Sequence, residues 1–315
     1  MDLTIGVDVG GTKIAAGVVD GDGAILRQVR VSTPATTAQA VEDGIVEAVR
    51  QLTAAGPPVA GVGLAVAGFV DEKRSTLRFA PNLPMRERPL RDLIGPRVGL
   101  PVVVENDANA AAWGEFRFGG GRGAQDVVLV TVGTGLGGGV VLGGRLFRGA
   151  FGAAGEFGHI RMVPGGLPCG CGKRGCWEQY ASGSALIRQA RALARQEPER
   201  AARLLELAGG DPEAVVGSMV TAAASQGDAA AVALLAEVGR WLGEGIADLA
   251  DVLDPATVVV GGGVSEAGDL LLGPAREAYT TALSAADNRV HLQITPALLG
   301  NDAGMIGAAD LARSA

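Results

Sequence analysis

At 315 residues the chain exceeds the size at which one hydrophobic core usually keeps growing, which predicts two domains. Apolar residues make up 48% and charged residues 19%, the proportions of an ordinary globular interior. A formal charge of −7 argues against the basic face that nucleic acid or an anionic membrane would require, so neither is expected as a partner.

Leu3 to Val9 alternates apolar residues with small or polar ones, a period-two strand pattern that follows Met1-Asp2 without a basic leader. A cytoplasmic protein is expected. After Gly10-Gly11-Thr12, the runs Ile14–Val19 and Ile25–Val31 complete an antiparallel meander through the turn Asp20-Gly21-Asp22-Gly23. Ala38 to Ala55 places Val41, Ile45, Val49 and Leu52 at helical spacing and stops at Gly56-Pro57-Pro58. Val59–Val66 and Val102–Val104 read as buried, parallel strands, each preceded by a helix or long connection. Asn106 to Phe116 is an Ala-rich helix with Asn106 and Asp107 in its first turn.

The 18 uncharged residues from Val127 to Gly144 match a membrane span in length, but seven are glycines, which predicts two strands and a turn. Aligning Asp8 with Thr131 pairs Val9 with Val132, Gly10 with Gly133 and Val18 with Val141, which suggests a duplicated hairpin. Helical patterns follow over 184–208 and 229–253. The strand Thr257–Val260 runs into Gly261-Gly262-Gly263, and Ser265-Glu266 is expected to open a helix. A last helix covers Ala303–Ala312 behind Asn301-Asp302.

Three glycine-rich turns lie behind these strands, in a chain whose 50 glycines are roughly twice the usual share. Asp8-Val9-Gly10-Gly11-Thr12-Lys13 offers backbone amides and a hydroxyl to an anion, with Asp8 placed to organise a hydrated Mg²⁺. Gly133-Thr134-Gly135 repeats the device, and Gly261 to Val264 offers flat backbone to an adenine or ribose. Lys13 and Arg145 are further candidates for phosphate. A plain hairpin turn is the ordinary explanation of one such glycine pair; three in this order are harder to explain so. The three cysteines, Cys169, Cys171 and Cys176, form an odd, tight cluster that points to metal before disulfide. With His159 they make one imidazole and three thiolates. That set fills a tetrahedral Zn²⁺ shell and predicts a structural ion with no open position.

The patterns DxGGTK, GTGxGGG and GGGV resemble the sugar kinase–actin superfamily, and the cysteine element narrows the resemblance to the ROK family (repressors, open reading frames, kinases). It covers essentially the whole chain from Asp8. It implies an α/β, ribonuclease-H-like (actin-like ATPase) fold with ATP in a cleft between two lobes, the small one 1–108 with 301–315 and the large one 109–300. The implied activity is ATP-dependent phosphorylation of the 6-hydroxyl of glucose, with Mg²⁺, a structural zinc and a homodimer or homotetramer. The run from Cys169 to Tyr180 looks most like that of the bacterial glucose kinases; mannose, fructose and N-acetylhexosamine kinases share the same motifs. A sugar-responsive repressor of the family would carry a helix-turn-helix domain before the first hairpin, which here begins at Asp8. Polyphosphate-using relatives lack the thiol cluster.

Residue by residue, the resemblance implies that Asn106 and Asp107 bind the sugar and that Asp107 accepts the proton of the attacking hydroxyl. Read without it, Asp107 is an N-cap. A helix N-terminus is expected to keep that carboxylate ionised and weakly basic. His159 would ligate zinc with one ring nitrogen and meet the sugar with the other. Glu156 and Glu178 would accept from ring hydroxyls, and Gly68 and Asn82 would complete the pocket. Asp8, Gly10, Gly11, Thr12, Lys13, Gly133, Thr134, Gly135, Gly262 and Gly263 would hold the nucleotide. A β-branched residue at Gly135 is expected to disturb the nucleotide alone.

Overall fold

The computed structural model describes residues 2–33, 36–54 and 56–313. The chain divides into two compact units. One comprises Met1–Leu129, Gly138–Gly155 and Ala297–Ala315; the other comprises Val130–Gly137 and Glu156–Pro296.

The first unit opens with the expected meander: β1 (Thr4–Val9), β2 (Lys13–Val19) and β3 (Ile25–Ser32), paired antiparallel in that order. β3 alternates half-buried with exposed residues, as an outer strand with one wet face must. α1 (Ala38–Thr53) buries Val41, Ile45, Val49 and Leu52, and the Thr37 side chain accepts from the Ala40 N–H to cap it. The expected end at Ala55 lies outside the described residues. β4 (Val62–Val66) and β8 (Val102–Asn106) join β1 in parallel, giving the order β3-β2-β1-β4-β8.

Between them lie β5 (Phe69–Val70), β6 (Leu77–Phe79) and β7 (Arg86–Arg88), a separate small sheet, and α2 (Leu90–Val98). The sequence reading missed these elements. The strands are two or three residues long, and α2 carries Pro96 inside and ends at Gly99 in the left-handed region. α3 (Asp107–Phe118) follows β8 directly.

β9 (Val127–Val132), β10 (Leu136–Leu142) and β11 (Arg145–Phe147) restart the meander, and β9 and β10 contribute residues to both units. The helical region expected over 184–208 is two helices, α4 (Gly183–Gln196) and α5 (Ala202–Leu207). α6 (Gly217–Ser225) and the long α7 (Ala229–Leu253) come next. β12 (Thr257–Gly261) leads into a short 3₁₀ turn, so α8 (Asp269–Ala282) starts later than Ser265, and β13 (Gln293–Pro296) ends the second unit. The second sheet has the order β11-β10-β9-β12-β13, the same as the first, as a duplicated meander requires. Among the described residues no single helix is long and apolar enough to cross a membrane.

α9 (Ala303–Ala312) returns to the first unit, and small residues govern its packing. A Cβ on Gly6 or Gly63 would lie 1.8 Å from a carbonyl of α9, so helix and sheet backbones touch. On the other side Gly307 approaches the Ala110 carbonyl of α3 equally closely. That packing draws α3 into the first unit, and Ala112 of α3 in turn abuts Gly139. The compact units therefore differ from the expected lobes at 109–129, 138–155 and 297–300, all of which belong to the first unit.

Candidate functional site

In the second unit, His159, Cys169, Cys171 and Cys176 bring four donor atoms within 4.8 Å of one another. The Cys169 Sγ lies 3.6 Å from His159 Nδ1, and the Cys171 and Cys176 sulfurs are 3.6 Å apart. Tetrahedral ligands at about 2.3 Å from a zinc ion sit about 3.8 Å from one another, so the spacing fits that ion. The cysteines are unpaired by disulfide. Burial and a hydrogen bond to Glu178 push the Cys169 thiol up to about 12, a cost that a bound dication removes by stabilising the thiolate. The Cys171 N–H points at the Cys169 sulfur at 3.5 Å. Gly175, at φ +78°, would drive a Cβ to 1.7 Å from the Val163 carbonyl, so only glycine closes this ring.

The ring is anchored on α7. Trp177 is fully buried and its indole N–H donates to the Trp241 carbonyl at 2.8 Å. Gly245 of α7 leaves the space that Trp177 fills, since a Cβ there would be 2.1 Å from the indole. Tyr180 stacks on Trp241 with centroids 4.7 Å apart, and its hydroxyl accepts from the Leu167 N–H. Glu178 is held next to the donor set: its Oε1 is 2.9 Å from Cys169 Sγ and 3.7 Å from His159 Nδ1. Nδ1 is thus the ring nitrogen turned to the thiols. Glu156 is exposed and precedes the 3₁₀ turn that carries His159.

A cavity of about 670 Å³ opens in the same unit, between α4, α6 and the turn after β12. Gly133, Thr134 and Gly263 line it, as the sequence expects of nucleotide-facing turns. Its apolar wall comes from Leu186, Ile187 and Val264, and its hydroxyls from Ser184, Ser218 and Thr221. The sequence reading found none of the helical contributors, whose residue types are ordinary for α4 and α6. Gly262 has φ +87° and packs against the Val132 backbone, which sets β12 tightly on β9. The Gly183 N–H donates to the Gly133 carbonyl at 2.7 Å, tying the start of α4 to the turn. Gly135 has an ordinary φ, and a Cβ there would lie 2.9 Å from Glu178 Oε2. The expectation that Gly135 concerns the nucleotide alone is therefore corrected: its nearest neighbour is a carboxylate of the zinc ring.

In the first unit, Asp8 ends β1 and Asp107 opens α3. Burial and the neighbouring Asp107 carboxylate raise Asp8 to about 6 against an ordinary 3.8, with Lys13 opposing and Asp302 adding to the rise. Asp107 is also raised, because burial outweighs the N–H groups of Ala108 and of its own backbone. The expected weakly basic carboxylate is thus corrected: desolvation defeats the helix terminus. The N-cap is Asn106, whose side chain accepts from the Asn109 N–H at 3.0 Å while its amide donates to the Gly68 carbonyl at 3.0 Å. In the first hairpin, the Gly10 N–H donates to the Lys13 carbonyl and the Thr33 hydroxyl to the Gly10 carbonyl. Thr12 and Lys13 are exposed, as is Arg145 on β11. Asn82 sits with its backbone against Gly11, 3.1 Å from a Cβ built there.

Glu105, one residue before Asn106, escaped the sequence reading although a carboxylate behind Val102-Val103-Val104 was a visible signal. It is 1% exposed and is met by Arg148 Nε at 2.9 Å and Arg74 Nε at 3.2 Å. Arg148 also donates to the Asp71 and Glu72 carbonyls.

The Asp8 shift makes a stability prediction. The folded state binds a proton between pH 4 and 6 that the unfolded chain has released, so stability falls as pH rises through that window. Asp8→Asn is expected to stabilise the nucleotide-free protein at pH 7.5 by up to about 3 kcal/mol, the equivalent of the shift. The gain should shrink toward zero near pH 4. Thermal melts across pH test this, and an Asn variant less stable at pH 7.5 would overturn it.

The ROK family model matches residues 4–315. A glucokinase of Streptomyces coelicolor is 54% identical over 313 residues, covering 99% of this chain and 98% of that protein. Among solved structures, a ROK family glucokinase from Streptomyces griseus in complex with glucose and AMPPNP superimposes with a TM-score of 0.89 at 54% identity. It covers 99% of this chain and all of the other, 100%. A ROK hexokinase from Thermus thermophilus gives a TM-score of 0.81 at 37% identity over 99% of this chain and 98% of its own. The full-length match, the repeated five-stranded sheet and the His-Cys₃ ring agree: the chain belongs to the ROK family.

Proposed function

We infer that this chain is an ATP-dependent glucokinase, transferring the γ-phosphoryl group of ATP to the 6-hydroxyl of glucose. The observation that carries the reading is its 54% identity, over 99% of the chain, with an enzyme solved holding glucose and an ATP analogue. The site's chemistry supports it. The 670 Å³ cavity combines apolar side chains with several hydroxyls, a lining that suits a nucleoside. The raised Asp107 carboxylate is a better proton acceptor than an ordinary aspartate.

In the mechanism this supports, Glu156, His159 and Glu178 hold the ring hydroxyls, with Asn106 and Gly68 shaping the sugar side. An ionised carboxylate accepts from two hydroxyls at once, which suits a polyol. Asp107 orients the 6-hydroxyl for in-line attack and takes its proton. Little proton transfer precedes cleavage in a loose phosphoryl-transfer transition state, so position counts for more than basicity. Backbone amides of Gly10, Gly11, Gly133 and Thr134 would face the phosphates, and Asp8 would hold the water shell of Mg²⁺, which neutralises phosphate charge. The zinc ligands His159, Cys169, Cys171 and Cys176 are four, so a bound ion keeps the ring's shape and supplies no activated water. The reading further places the enzyme in the cytoplasm as a homodimer or homotetramer, which light scattering would check.

A coupled ADP-release assay over glucose, mannose, fructose and N-acetylhexosamines tests the substrate. Glucose should give the highest kcat/KM; a larger value for another hexose would overturn the assignment. Gly135→Val bears on the sugar side of the same reading. The new side chain presses on Glu178, so glucose KM should rise at least as much as ATP KM. Separate titrations of the two substrates decide it, and a rise confined to ATP would remove Glu178 from the sugar site.

A further inference from the structure

A second cavity, of about 410 Å³, lies in the first unit between α2 and the outer edge of β8. Two arginines, Arg74 and Arg91, line it together with Gly95, Leu100, Val102 and Val103, and no acidic residue does. Two buried guanidinium nitrogens of this pair, Arg74 Nη2 and Arg91 Nε, have neither a hydrogen-bond nor an ion-pair partner among the described residues.

The charge around the cavity does not balance. Arg91 has no carboxylate within ion-pair distance among the described residues; its Nη2 is spent on the Lys73 and Arg74 carbonyls. Arg74 Nε is ion-paired with Glu105 at 3.2 Å, a carboxylate it shares with Arg148, and its Nη2 is left without a partner. Asp71 is occupied by Ser75 and Thr76. Two guanidinium groups therefore share one carboxylate and Arg91 has none, so the surplus charge lies with the two arginines that line the cavity. Burial pulls Arg74 below its ordinary value, with Arg148 and Arg91 adding to the fall and Glu105 opposing it.

Guanidinium groups lose much of their hydration when half-buried, and leaving their donors unpaired is costly. Arg74 holds a left-handed φ of +56°. Its carbonyl accepts from the Val104 N–H of β8 as well as from Arg91, so the two side chains are held beside the strand edge. A strained non-glycine residue that persists is held by its surroundings.

We propose that this cavity is an anion site for a small phosphorylated molecule, with Arg74 and Arg91 binding the phosphate. Planar guanidinium forks match tetrahedral oxyanions, and two of them neutralise a phosphate dianion. The apolar remainder, from Leu100, Val102 and Val103, gives an organic portion its wall. None of the lining residues belongs to the sugar, nucleotide or zinc groups described above.

Inorganic phosphate is the probe, titrated calorimetrically at constant ionic strength with glucose and AMPPNP saturating, so that the nucleotide's phosphate positions are filled. The native protein should show one saturable phosphate site. Gly95→Asp places a carboxylate in the cavity, where a Cβ meets nothing closer than 3.5 Å. It should weaken phosphate binding at least about tenfold, the worth of one lost charge-assisted hydrogen bond, without lowering the Tm. Arg91→Gln is the second variant and should weaken binding similarly, should the first fold poorly. No saturable binding to the native protein, or undiminished binding in a folded variant, would overturn the proposal.

Discussion

Asp107→Asn should leave the fold and glucose affinity in place and lower kcat by roughly 10²–10⁴-fold, the contribution of a positioned general base. The fold survives because Asn106, not Asp107, caps α3, and an amide oxygen can still accept from the Ala108 N–H that Asp107 engages. Removing the charge also lifts a desolvation cost, since burial raises the native carboxylate. The variant should therefore melt no lower than the native protein at pH 7.5, and its melts should separate loss of chemistry from loss of structure. Glucose binding, measured by titration without ATP, should change little because an amide still hydrogen-bonds a hydroxyl. What disappears is the acceptor for the proton and the negative charge that orients the nucleophile. An unchanged kcat would dismiss Asp107 as the base.

The same residues show what a sequence can and cannot disclose. The hairpins were legible because a glycine pair behind an alternating apolar strand has few uses, and both lie where the two sheets repeat their order. The His-Cys₃ donor set was legible because all four residues fall within a short segment, from His159 to Cys176. The cavity wall was not. It is assembled from α4 and α6, whose Ser184, Ile187 and Thr221 are unremarkable in any helix. Asp107 was located but its electrostatics were misjudged, because its rise comes from burial in the folded chain, which no local pattern reports. Gly135 failed for a related reason: its neighbour Glu178 is remote in sequence and close only once the ring folds onto the hairpin. Local geometry is written locally; desolvation and long-range neighbours are not.

Zinc removal gives the second large effect, and it separates a structural ion from a catalytic one. One imidazole and three thiolates would saturate a zinc ion, leaving it no position from which to polarise phosphate or water. Its contribution must pass through the residues it fixes. Cys171→Ser should lower metal content and raise glucose KM strongly, because His159 and Glu178 are both held against Cys169 in the ring. Nucleotide affinity should survive, since the 670 Å³ cavity takes none of its lining from the ring. Mg²⁺ should remain necessary for turnover in native protein and variant alike. Apparent zinc binding energies of about 10–16 kcal/mol are known for peptides that fold only with metal. Here the ring is also anchored to α7 by the buried Trp177 and by the Tyr180–Trp241 stack, contacts that use none of the four donor atoms. Loosening should therefore be local, confined to 159–176, with the cooperative melt of the remaining chain retained. Elemental analysis, then glucose and nucleotide titrations on the same preparation, decide the matter. A zinc-free variant that binds glucose with native affinity would show that Trp177 and its partners alone hold the sugar residues in place.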